Sequence, residues 1–122
     1  MSNIRIDNIA PSAGGTYRNA PRGIAAAWAN FYNTSTPAFR DSVNCSSITD
    51  IGYGITDVNL TNSMSSANYS VIGCVIHSGN YPSGFGSYQS SRTTSKFAAS
   101  TSIGNGWADC DTIGCAAFGD LA

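Results

Sequence analysis

Trp28-Ala29-Asn30-Phe31, then Arg40-Asp41-Ser42-Val43-Asn44, Ser46-Ser47-Ile48-Thr49-Asp50 and Ile55-Thr56-Asp57-Val58-Asn59-Leu60 are the runs on which the fold turns. They are rich in β-branched and aromatic residues, and clusters of Gly, Asn, Asp and Ser separate them, which is the pattern of short strands reversing direction. The alanines Ala25 to Ala27 invite a helix, but the run is short, uncapped and leads straight into aromatics, so it predicts a strand with Trp28 buried. Ala38 to Ile48 predicts a second strand, with Phe39, Asp41, Val43 and Cys45 on one face. Asp41 is out of place on that apolar face. Ile55 to Leu60 predicts the third strand.

Downstream, Tyr69 to His77 is almost continuously apolar, which points to a central strand buried on both faces. Gly79 to Tyr88 reads as a long glycine-rich and aromatic loop, and a polar strand follows around Lys96-Phe97-Ala98. Ile103 to Trp107 is a turn, and Thr112 to Asp120 closes the domain. Six strands with closely spaced turn signals imply an all-β fold, a compact antiparallel β-sandwich or barrel over residues 25–122. Residues 1–24 differ. Ile4, Ile6 and Ile9 stand among polar residues, with Pro11, Gly14, Gly15 and Pro21 following, so an extended N-terminal arm is expected, its isoleucines serving as docking anchors.

The run from Trp28 to Tyr69 resembles the short β module found at the distal ends of tail-fibre and related virion proteins of tailed bacteriophages, those of marine bacteria especially. The matching residues are Trp28, Asn30, Phe31, Arg40, Asp41, Ser42, Asn44, Ser46, Ser47, Ile48, Thr49, Asp50, Gly52, Gly54, Val58, Asn59, Met64, Ala67, Asn68 and Tyr69. The chain departs from that pattern at Cys45, where Val is usual, at Pro37 and at Ile51-Gly52-Tyr53. The resemblance implies a noncatalytic virion protein, a homotrimer at a tail fibre or tail tip that contributes to host attachment. It also implies an arm that meets other virion proteins and a host-surface glycan or protein as the receptor. A capsid decoration or head-fibre protein is the second expectation, and a carbohydrate-binding module the third.

Composition narrows the classes further. Of 122 residues 42% are apolar and 11% charged, with a net charge of −1. So little charge implies surface covered by copies of the chain, and the six scattered basic residues form no patch for nucleic acid or an anionic membrane. The amino-terminal residues show no signal-peptide pattern and no membrane span, so synthesis in a cytoplasm is expected, and the resemblance implies the virion as the final location.

Catalytic chemistry lacks a constellation: one histidine, His77, no glutamate and no Gly-x-Ser-x-Gly elbow. Cys45, Cys74, Cys110 and Cys115 lack the paired spacing of a structural zinc site, so neither metal nor cofactor is expected, and Cys45, Cys74 and Cys115 read as small buried residues. The remaining candidates for contact with a partner or receptor are Tyr81, Phe85 and Tyr88. Their rings either present flat apolar faces with polar edges or fold back as a lid on the core.

Overall fold

Ala27, Ala29 and Phe31 of the strand Ala27–Tyr32 are buried, whereas Trp28, Asn30 and Tyr32 are directed to the outside. The strand is as expected, but the two-residue pleat turns Trp28 out, half-buried, because the alanines take the inward positions. This strand is β3 in a computed structural model that describes residues 8–9, 18–19, 24–79, 81–88 and 92–122, with side chains at all of them but 8, 9, 18, 19 and 88. In the arm, β1 (Asn8–Ile9) and β2 (Arg18–Asn19) pair antiparallel. Ile9 lies in β1, and Ile4 and Ile6 fall outside the described residues.

The remaining strands are β4 (Ala38–Val43), β5 (Cys45–Gly52), β6 (Ile55–Leu60), β7 (Ser70–Ile76), β8 (Ser83–Tyr88), β9 (Lys96–Ile103), β10 (Gly106–Trp107) and β11 (Thr112–Phe118). They form an antiparallel sandwich of two sheets. One has the order β4-β3-β11-β7; in the other β5, β6 and β9 follow in order, β8 flanks β9, and β10 pairs β9 past the end of β6. Phe31 and Ile113 from the first sheet meet Val58 and Phe97 from the second, all fully buried, with Met64 and Tyr69 added by the crossing from β6 to β7. Burial of each large apolar side chain contributes on the order of 1.5–3 kcal/mol. The Tyr69 hydroxyl lies 2.8 Å from the Thr93 carbonyl and 2.7 Å from that of Lys96.

Several strand expectations are corrected. Ala38 to Ile48 is not one strand: it breaks at Asn44, whose φ of 56° is a left-handed conformation that Asn tolerates better than most residues, and β4 and β5 join different sheets. The Asn44 amide fixes the crossing by donating to the Ala26 and Asn62 carbonyls while its oxygen accepts the Asn62 N–H. A register shift between β3 and β4 resolves the misplaced Asp41. Arg40 is the extra residue, so Phe39 turns inward against Phe31 while Asp41 and Val43 face out.

Tyr69 to His77 is not central either. Its strand β7 is the edge of its sheet, with Ile72, Cys74 and Ile76 exposed. Cys74 is therefore not the buried residue expected, while Cys110 and Cys115 are buried, Cys45 is half-buried, and all four thiols are free. The expected loop holds β8 over residues 83–88. With the break at Asn44 and the short β10, this raises the six strands expected to nine, β3 to β11, among the described residues. One glycine is indispensable to the β5–β6 turn: Gly54 has φ 74°, and a Cβ there would lie 2.6 Å from the Thr101 carbonyl oxygen.

Candidate functional site

The outward positions of the β4-β3-β11-β7 sheet line up across the strands. Val43, Trp28, Ala116 and Ile72 form one row; Asp41, Asn30, Gly114 and Cys74 form the next. Val43 is 47% exposed, Ile72 59% and Ile76, farther along β7, 61%. Since Gly114 has no side chain, a hollow of about 480 Å³ opens between Trp28 on one side and Ile72 and Cys74 on the other. Asn30 also lines it, and its Oδ1 finds no donor among the described residues.

At the rim near Ile76, charged groups are occupied within the chain. Arg40 donates to Thr112 Oγ1 at 2.9 Å and to the Asp111 carbonyl at 2.7 Å, and stacks 5.2 Å from the centre of the Tyr32 ring. The Asp111 carboxylate accepts the Ser78 N–H at 2.9 Å. That backbone bond, followed by the Ser78 side chain and more weakly by His77 and Arg40, holds the carboxyl below its ordinary range. His77 Nδ1 accepts the Gly79 N–H at 3.0 Å, and the imidazole meets the Tyr81 ring edge-on at 6.4 Å between centroids. The turn is thereby fastened where it leaves β7, and Tyr81, 65% exposed, stands beyond that point.

The three aromatics singled out in the sequence do not share one surface. Tyr81 projects at the rim. Phe85 is an inward position of β8, packed against the core, and its ring occupies the space a Cβ on Gly73 would need, 2.6 Å from its nearest atom. Tyr88 ends β8 opposite Ala98, and its side chain is outside the described set. In the arm, only Ile9 of the three isoleucines is placed. A second, polar hollow of about 400 Å³ lies among Ser65, Ser66, Asn68, Phe118 and Asp120.

Burial pushes the Cys45 thiol up to about 11 and the Cys115 thiol to about 12, which keeps both protonated and unreactive near neutrality. No group of three or more His, Cys, Asp or Glu side chains able to hold a metal ion occurs among the described residues. Compared with family models, curated proteins and solved structures, the chain gives no match.

Reasoning from sequence missed Val43, Ile72, Cys74 and Ile76 as surface. The signal was present in the apolar run of β7, but such a run has two causes: burial on both faces within one chain, or an edge strand whose outer face is left apolar.

Proposed function

We propose that the chain is a noncatalytic structural protein of a tailed-phage virion, a homotrimer at a tail fibre or tail tip that contributes to host attachment. The observation that carries this reading is the use to which the matching run is put. Phe31 and Met64 are core, Gly54 makes the turn, Asn44 steers the chain between sheets, and Tyr69 ties the β6–β7 crossing to the start of β9. Residues that fill turns and core make the run a folding unit, and the function, assembly and adhesion, is carried over by analogy with the module class it resembles. In this reading residues 1–24 dock on another virion protein through Ile4, Ile6 and Ile9. Of the candidate aromatics whose side chains are described, Tyr81 is the exposed one, and in this reading it meets a host-surface glycan or protein.

Electron microscopy of the parent particle labelled with antibody to this chain is the test. Label at the tail tip or fibres is the expected result. Label spread over the capsid favours the decoration or head-fibre reading, and unlabelled, accessible particles overturn both. Deleting residues 2–22 is expected to abolish loading onto particles while the sandwich stays folded.

A further inference from the structure

We infer that the outer face of the β4-β3-β11-β7 sheet is where copies of this chain pack on one another; this rests on the self-association in the proposed function and assigns it a surface. One row of the face is apolar, Val43, Trp28, Ala116 and Ile72, and Ile76 is exposed two positions beyond Cys74 on β7. Apolar side chains this exposed, side by side along one row rather than scattered singly, mark a surface that is covered in use.

The charges identify the occupant. The face carries two charged residues, Arg40 and Asp41. Arg40 is occupied by Thr112, the Asp111 carbonyl and the Tyr32 ring, and Asp41 accepts the N–H of its own neighbour Ser42 at 2.9 Å. One is positive and one negative, so the face carries no net charge, and a nucleic acid, an anionic lipid surface or a strongly charged protein meets no matching field here. The matching surface is equally neutral and apolar, and the face itself is one. It also holds both halves of a fit: the hollow over Gly114, and the protruding Val43 and Ile76 on its flanks. Homo-oligomers use this arrangement, with residues of one copy seated in a recess of the next.

The size agrees with assembly by several copies. Four strands about 4.8 Å apart and six residues of about 3.4 Å each give a flat face of roughly 20 by 20 Å. That is about half of the ~800 Å² each partner contributes to a standard stable interface. The face alone supports a reversible contact, and a ring in which each copy meets two neighbours, joined by rim residues such as Tyr81, makes it firmer.

Sedimentation equilibrium of the purified chain at micromolar concentration tests this, with Ile72→Asp and Ile76→Asp as face variants and Ile51→Asp as a control, exposed on the other sheet. Circular dichroism checks that each variant folds; all three positions are more than half exposed, and two face variants guard against one failing. Expected are an oligomer of equal strength for the wild type and Ile51→Asp, against at least about tenfold weaker association for the face variants. Cys74, in the second row, should react with a maleimide more slowly in the wild-type oligomer than in Ile72→Asp. An oligomer indifferent to both face variants, or Cys74 equally reactive in both states, overturns the surface and leaves the trimer standing. A wild type with the mass of one chain overturns the trimer and the surface together.

Discussion

The side-chain oxygen of Asn33 accepts the backbone N–H of Cys110 at 2.6 Å, across 77 residues of chain. The same buried amide donates to Thr56 Oγ1 and Thr101 Oγ1 at 3.2 and 3.4 Å, and the Thr101 hydroxyl donates to the Ala108 carbonyl at 2.6 Å. One side chain thus ties the turn after β3 to β6, β9 and the approach to β11, closing an end of the sandwich with hydrogen bonds. Asn33→Ala leaves the Cys110 N–H without its acceptor in a site closed to water. The expected loss is about 3 kcal/mol, from one stranded donor and the weakened threonine pairs. Urea unfolding should show a lower midpoint at an unchanged slope.

A second polar tie joins the same two strands, β6 and β9, farther along. Lys96 Nζ meets Asp57 Oδ2 at 2.6 Å; the Asp57 side chain is 2% exposed, and its Oδ1 has no partner among the described residues. Lys96→Met keeps the aliphatic stem and removes the charge, which strands a buried carboxylate. The cost should be about 3 kcal/mol, the low end for breaking a buried pair, because the lysine is itself 36% exposed. Replacing Asp57 with Leu in the same chain should recover at least half of that loss in thermal melts. No recovery would mean that the carboxylate serves the fold in some way beyond the lysine.

The all-β class and the sandwich were legible because β-branched and aromatic runs and the turn residues between them act locally, but in β3 the run misled about the side: Trp28, expected buried, faces out while Ala27, Ala29 and Phe31 take the inward positions. Misreadings arose where a single residue redirects the chain. Asn44 splits one apparent strand between two sheets, and the extra residue Arg40 reverses which side Asp41 and Val43 take. Neither change alters the composition of a window, so neither is visible to periodicity. The candidate surface was hidden for a different reason. Burial in a core and burial against a second copy select the same residues, and only the pairing of β7 with β11 alone shows that Ile72 and Ile76 are not inside.

The thiols give a pH dependence with a definite sign. Cys45 and Cys115 have folded-state values raised from 9.0 to about 11 and about 12, so below pH 9 each is protonated whether the chain is folded or not. Above that, the unfolded chain releases these protons and the folded chain holds them, so stability falls as pH rises through the window from 9 to about 11–12. Melting temperatures of Cys115→Ala are expected to decline less steeply across that window than those of the wild type, after allowance for the variant's lower starting value. Equal slopes would show that other groups govern the alkaline loss.

The aromatic residues near β8 give a test that separates adhesion from folding. Phe85 packs between the sheets where Gly73 makes room for its ring, so Phe85→Ala removes a core-packed aromatic and should cost about 3 kcal/mol, with a fall in melting temperature of more than ten degrees for a domain of this size. Tyr81 stands on the turn fastened by Asp111 and His77, in solvent and off the core, so Tyr81→Ala should leave the melting temperature within about two degrees of the wild type. The two variants are then read in attachment of particles to host cells. If the proposed adhesive role is right, Tyr81→Ala weakens attachment with full-length, folded protein on the particle, because an exposed ring on an anchored turn offers contact area at little cost in entropy. Gly73→Ala provides the reciprocal control: its methyl group displaces the Phe85 ring and lowers stability without touching Tyr81. Attachment that follows stability across all three variants, and not the Tyr81 ring, would remove Tyr81 from the contact surface and move the weight to the capsid decoration reading.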